Sequence, residues 1–163
     1  MIPMIRLDER LIHGQVAIKW SRYLNVDRIV VVSDEAATSP VVQESLLMAA
    51  PPTAKTTIRK LDSAIALLQD PRGKSHRILV IVPTPEALLK VIENVPGIEL
   101  VNVGNYGRIA PKEAAAPRRS FRANLYAYDS EVEVLKKVIA TGVKCNYQTI
   151  PDDAPEALAK VLK

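Results

Sequence analysis

Short apolar runs alternate along the chain with longer amphipathic stretches, the pattern expected of a mainly parallel sheet covered by helices on both faces. Residues 2–7 (IPMIRL) predict a first strand, and from Gly14 to Leu24 the positions Val16, Trp20, Tyr23 and Leu24 fall on one helical face. Arg28–Ser33 (RIVVVS) reads as a buried strand. Ser39-Pro40 places serine as cap and proline in the first turn of a helix running to about Ala50, where Pro51-Pro52 stops it. A strand near Lys55–Lys60 leads to a helix over about Asp62–Gln69, and Arg77–Val82 (RILVIV), the most apolar run, is expected at the centre of the sheet. Thr84-Pro85-Glu86 repeats the cap-then-proline signal, and Pro96-Gly97 closes that unit. Ile98–Val103 predicts another strand, Asn102–Ala116 mostly loop, and residues 122–128 (RANLYAY) a strand of open direction. Ser130 with Glu133 has capping-box spacing for a helix to about Thr141, Val143–Ile150 reads as a last strand, and Asp153 with Glu156 repeats the spacing before a final helix. The expectation is an α/β fold with one open, mostly parallel sheet of about seven strands, and about six helices on its two faces.

Composition narrows the class. At 163 residues, with 48% hydrophobic and 25% charged positions, the chain suits a single globular domain over 1–163. No apolar run reaches the roughly 18 residues of a membrane span, and MIPMIRLDER does not read as a signal peptide. Cys145 is the one cysteine, so neither an internal disulfide nor a cysteine-built metal site is expected. The expected location is the cytoplasm. The net charge of +4 is concentrated in residues 108–122, where Arg108, Lys112, Arg118, Arg119 and Arg122 face Glu113 alone. Such a stretch attracts phosphate or an acidic protein surface, unless it is simply a solvated loop. Nucleic acid is not expected as a partner, because Trp20, Phe121 and five tyrosines are the whole aromatic complement and no recognition motif is present.

The chemistry concentrates in Arg6–Val16, RLDERLIHGQV, where the first strand ends and the first helix begins. That edge of an open α/β sheet is where ligands bind, and a helix start offers free N–H groups to an anion. His13 carries an imidazole with a substantial neutral fraction near neutral pH, able to attack phosphorus. Gly14 leaves room for close approach, Arg10 has a donor fork suited to phosphoryl oxygens, and Gln15 is a further donor. Asp8 is assigned to orientation, accepting a hydrogen bond from the ring nitrogen that does not react. The plain structural alternatives are a histidine held beside a glycine and a surface Asp8–Arg10 ion pair. His76, expected at the amino end of its strand, is assigned a structural role, and Cys145 a place in the core. No carboxylate cluster fit for a metal is visible, and no cofactor is expected.

At RLDERLIHGQV the chain resembles the phosphorylation-site loop of enzyme IIB components of the mannose/fructose/sorbose family of the phosphoenolpyruvate-dependent sugar phosphotransferase system. Three further matches follow in the family's order: RIVVVSDE at Arg28–Glu35, APP at Ala50–Pro52, and LVNVGN at Leu100–Asn105. The resemblance implies a seven-stranded, mostly parallel sheet and a protein-phosphohistidine–sugar phosphotransferase. Phosphorylated enzyme IIA would charge His13, and the group would pass to a sugar carried by the membrane enzymes IIC and IID, keeping the protein at the inner membrane face. The loop at Asn105 and Tyr106 would neighbour the site. Many members have two glycines and a methionine where this chain reads Gly104-Asn105-Tyr106-Gly107; the asparagine is similar to the N-acetylgalactosamine-type branch, and the altered loop leaves open which hexose or amino sugar is the substrate, not the phosphoryl chemistry. A histidine phosphatase fits less well, needing arginine directly before the histidine and a second catalytic histidine. The alternative from another class is a regulatory or nucleotide-binding α/β module without sugar phosphotransfer, although neither GxGxxG nor GxxxxGK[ST] is present.

Overall fold

A computed structural model describes residues 1–163. Seven strands form one sheet in the order β3-β2-β4-β1-β5-β8-β9: β1 (Met4–Asp8), β2 (Arg28–Val32), β3 (Lys55–Arg59), β4 (Ile78–Val82), β5 (Leu100–Asn105), β8 (Lys144–Tyr147) and β9 (Glu156–Ala157). All neighbours are parallel except β8 and β9. The side-chain alternation of strands sorts the core in two. Ile5, Leu7, Val30, Val80, Val101 and Val103 meet α4 (Leu61–Gln69), α5 (Pro85–Asn94) and α6 (Asp129–Ala140) on one face. Met4, Ile29, Val31, Leu79 and Ile81 meet α1 (Val16–Leu24), α2 (Asp34–Ala37) and α3 (Pro40–Ala49) on the other. The chain closes with α7 (Leu158–Val161). No helix is long and apolar enough to cross a membrane.

The cap-then-proline signals act as read: Ser39 Oγ accepts from the Val42 N–H at 3.4 Å and Thr84 Oγ1 from the Ala87 N–H at 3.1 Å. Four expectations are corrected. Residues 119–127 form a separate antiparallel hairpin, β6 (Arg119–Arg122) and β7 (Leu125–Ala127), rather than one strand over 122–128. The segment expected as loop from Asn102 is strand as far as Asn105, because Asn102, Val103 and Asn105 pair with the end of β1. Glu131, not Ser130 with Glu133, closes the start of α6, its Oε1 accepting the Tyr128 N–H at 2.8 Å. Asp153 and Glu156 do not cap a helix; Glu156 lies in β9 and pairs with Arg122 at 2.9 Å. The four-residue α2 had no apolar period long enough to predict it.

Glu131 also anchors the region after β5. Its carboxylate, 1% exposed, takes Arg118 at 2.8 and 3.1 Å and the buried Tyr106 hydroxyl. Burial pushes this carboxyl up, yet the bonds from Arg118, Tyr106 and the Tyr128 N–H outweigh it and hold it below the ordinary range. A depressed folded pKa gives stability that is complete above the unfolded value near 4.3 and is lost as pH falls through the folded value. The urea midpoint is therefore expected to drop as the pH falls below about 4. Glu131→Gln should flatten that acid limb; an equally steep limb in the variant would place the titration elsewhere.

Candidate functional site

β1 has Met4, Arg6 and Asp8 on one face by its period of two, so the strand delivers an arginine and a carboxylate into the layer beneath α1. Both are buried: the Asp8 side chain is 0% exposed and the Arg6 side chain 3%. Arg6 donates to Asp8 Oδ2 from Nε at 3.3 Å and Nη2 at 3.1 Å. Its Nη1 reaches Asn102 Oδ1 at 2.6 Å and the Gln148 carbonyl at 3.3 Å. In the sheet register Arg6 pairs with Asn102 and Asn102 with Asn146, so three polar residues stand side by side across β1, β5 and β8. Asn102 Nδ2 donates to Asn146 Oδ1 at 2.9 Å and to the Gln148 carbonyl at 3.0 Å. Burial draws the Arg6 guanidinium down from its usual range, and Asp8 opposes that shift. Above this rung lies the Trp20 ring, 5.6 Å from Arg6 Cζ, with its Nε1–H on the Thr149 carbonyl at 3.0 Å.

Beyond Asp8 the chain turns sharply. The Leu11 N–H returns to the Asp8 carbonyl at 3.0 Å, and the Arg10 N–H donates to Asp8 Oδ1 at 3.0 Å. Leu11 and Gly14 take positive φ of 62° and 49°. Gly14 is free of crowding, so its glycine answers the left-handed backbone rather than a close contact. These turns bring His13 Nε2 to 3.2 Å from Asp8 Oδ2 while the side chain stays 30% exposed. Nδ1 has no partner in the chain. Gln15 precedes α1 without a side-chain cap, and the N–H groups of Gly14–Ile18 make no intrachain hydrogen bond. The Arg10 side chain is exposed and unpaired, so the alternative of an Asp8–Arg10 ion pair gives way to a buried Arg6–Asp8 pair.

Asn105 ends β5 and is 7% exposed; its carbonyl accepts the Glu9 N–H at 2.9 Å and its Oδ1 is buried without a partner. Tyr106 follows Asn105 directly, and its hydroxyl turns into the core toward Glu131. Most of the basic stretch is engaged within the chain. Arg118, its side chain 5% exposed, also donates to the Ala110 and Pro111 carbonyls at 2.8 Å each. Arg122 is paired with Glu156, Arg108 donates to the Ala123 carbonyl, and Arg119 stacks 4.6 Å from the Phe121 ring. Of the five cations, only Lys112 is without any such contact.

His76 lies at the amino end of β4, where Nδ1 meets Asp27 Oδ2 at 2.6 Å and holds that carboxyl below its usual range. It belongs to the opposite edge of the sheet from His13. Burial pushes the Cys145 thiol up to about 11, which leaves it unreactive near neutral pH. No group of three metal-ligating side chains is present.

A family model, the sorbose subfamily IIB component of the PTS, matches residues 2–163. The chain belongs to this family. A probable phosphotransferase enzyme IIB component of Streptococcus pyogenes is 42% identical over 116 residues, covering 71% of each chain. The sorbose-specific EIIB component of Lacticaseibacillus casei is 28% identical over 162 residues, 99% of this chain and 95% of that one. The mannose-specific EIIAB component of Escherichia coli is 30% identical over 154 residues, but this chain spans only 46% of its length. Among solved structures, the IIB domain of the Klebsiella pneumoniae sorbose permease superposes with a TM-score of 0.89 at 23% identity, covering 99% of this chain and 96% of the other. That likeness establishes the fold, the open, mostly parallel seven-stranded sheet.

Within this IIB fold, three residues of the framework around the site lay outside the sequence-derived reading. Arg6 carried a signal, an arginine two positions before Asp8 in an apolar strand. Glu9 carried none, because its partners are about a hundred residues away. Gly104 explains itself only in three dimensions: a Cβ there would overlap the Arg6 guanidinium. Gly104→Ala is thus expected to displace Arg6 and release Asp8 from its pair. The fluorescence of Trp20, beside that guanidinium, should shift in the folded variant; an unchanged spectrum would mean that Arg6 tolerates the methyl group.

Proposed function

We propose that this IIB component takes a phosphoryl group from phosphorylated enzyme IIA on His13 Nδ1 and yields it to a sugar carried by the membrane enzymes IIC and IID. The observation that carries this reading is the pairing of a part-exposed imidazole with a fully buried carboxylate, His13 Nε2 to Asp8 Oδ2 at 3.2 Å. With Asp8 accepting, the proton resides on Nε2 and the lone pair on Nδ1 faces outward. Attack by Nδ1 on the donor's phosphorus forms one N–P bond as the donor's breaks. The ring then gains positive charge, which the Asp8 carboxylate offsets without receiving the proton. Arg6 holds the Asp8 carboxylate in place through two donors, Nε at 3.3 Å and Nη2 at 3.1 Å. Arg10, whose guanidinium is uncommitted, and the free amides at the start of α1 are the groups available for the phosphoryl oxygens. Gly14 leaves their approach open, and Gln15 adds a donor at the helix entrance. The proposed substrate class is a hexose or amino sugar, with N-acetylgalactosamine among the candidates to assay.

The test is to mix the native protein with phosphorylated enzyme IIA and map the modified atom. The expected label is acid-labile, alkali-stable, on His13, and on Nδ1 by the nitrogen shifts of the ring. An acid-stable ester, or a label on His76, would remove the proposal, and a label on Nε2 would remove the role given to Asp8.

A further inference from the structure

We propose that the backbone amides of Gly107–Ala110 form an anion-binding nest whose resident ligand is the Glu9 carboxylate, and that this clasp sets the loop met by a phosphorylated partner. The second half rests on the phosphotransfer reading above; the first half stands alone. Glu9 Oε1 accepts the N–H groups of Gly107 at 3.0 Å and Ala110 at 3.1 Å, and Oε2 that of Arg108 at 2.9 Å. The Ile109 N–H lies 3.3 Å from both oxygens. Four successive amides converging on one carboxylate make a concavity of fixed positive polarity, built of main chain alone. No lysine, arginine or histidine pairs with Glu9, so the amides supply all of its charge compensation. Gly107 starts the turn at φ 102°, with the Tyr126 carbonyl where a Cβ would stand.

The clasp joins two segments that nothing else hydrogen-bonds. Arg108 and Arg118 tie the 107–118 loop to Ala123 of the β6–β7 connection and to Glu131 of α6, whereas Glu9 alone ties it to the turn bearing His13. Glu9 is gripped at both ends, its own N–H donating to the Asn105 carbonyl at 2.9 Å. On the loop's outer side Ile109 is 61% exposed, flanked by Arg108 and Lys112 at the rim of a cavity of about 610 Å³. An apolar side chain between cations suits a partner with an acidic, partly apolar face. The nest does a second thing. It keeps the charge of Glu9 away from the ring beside Asp8, where a released carboxylate would repel an incoming phosphoryl group.

Glu9→Ala empties the nest and Glu9→Gln fills it with an amide whose NH₂ cannot accept. In both variants, hydrogen exchange of the Gly107–Ala110 amides is expected to quicken at least tenfold. Acetate at tens of millimolar should restore protection in Glu9→Ala and not in Glu9→Gln, where the side chain still occupies the space. With phosphorylated enzyme IIA as donor, KM should rise about 5- to 20-fold with kcat changed far less, a loss of contact energy of about 1–2 kcal/mol, and acetate should reverse it in the alanine variant. Phosphoramidate, a small donor needing no docking surface, should label His13 in native protein and variants within about twofold. Unchanged amide exchange, or protection that acetate fails to restore in Glu9→Ala, overturns the nest. Faster exchange with an unchanged KM overturns the docking role. A native protein that neither donor labels at His13 overturns the phosphotransfer reading, while the exchange and acetate measurements still decide the nest.

Discussion

His13→Ala is expected to lose all phosphoryl label from enzyme IIA while keeping its fold and nearly all of its stability. The side chain is 30% exposed and its one hydrogen bond goes to Asp8. Asp8 remains paired with Arg6 and bonded to the Arg10 N–H after truncation, so no buried charge is orphaned. The cost is then one net hydrogen bond, about 0.5–1.5 kcal/mol, read as a small shift of the urea midpoint. His76 lies at the amino end of β4, at the opposite end of the strands from His13, and is not expected to take the group in its place. Background labelling with a native-like circular dichroism spectrum is the expected result. Residual transfer above a few per cent would mean that another nucleophile carries the group.

Asp8→Asn should be costly in both respects, and the contrast with His13→Ala makes the pair informative. The Arg6 guanidinium, its side chain 3% exposed, would keep its burial and lose its counter-charge, a change worth about 3–5 kcal/mol. Asparagine also reverses the hydrogen-bond logic at the ring. If its amide donates to His13 Nε2, the ring proton moves to Nδ1 and the attacking lone pair is gone. A loss of transfer rate on the order of 10³-fold is expected, together with a clearly lower unfolding midpoint. A rate within tenfold of native, measured at a temperature where the variant is fully folded, would detach Asp8 from the chemistry.

Much of this architecture was readable because parallel strands buried on both faces leave a strong mark. Arg28–Val32 and Ile78–Val82 are near-continuous apolar runs, and the Ser39-Pro40 and Thr84-Pro85 starts are local chemistry that tertiary context does not override. The hairpin at Arg119–Ala127 was not readable. Its strands are short, half exposed, and defined by pairing with each other rather than by a period. Ser130 and Glu133 shared their spacing with a capping box, but the helix starts two residues earlier, since Glu131 must stay where Arg118 and Tyr106 reach it. Local spacing cannot register such a demand. At the site, His13 and Asp8 emerged from the motif because they are neighbours in sequence as well as in space. Ending the first strand at Leu7 hid the rest. Once Asp8 is counted as the last strand residue, Arg6 falls on its face and the polar rung with Asn102 and Asn146 follows from register. Tyr106 stands next to Asn105 in the neighbouring loop, and its hydroxyl turns into the core toward Glu131, a partner that adjacency in sequence does not announce. Glu9 is the extreme case, a carboxylate whose partners are four amides of ordinary residues, chemistry that no residue type announces.

The stacking of Trp20 over the Arg6 guanidinium gives the molecule an optical consequence. The sequence has one tryptophan, so its emission has a single origin. That chromophore is connected to the imidazole through three contacts, indole to guanidinium, guanidinium to carboxylate and carboxylate to ring. On the proposed reading, a phosphoryl group taken up at His13 should shift the Trp20 emission, so mixing with phosphorylated enzyme IIA is expected to be visible in the unlabelled protein.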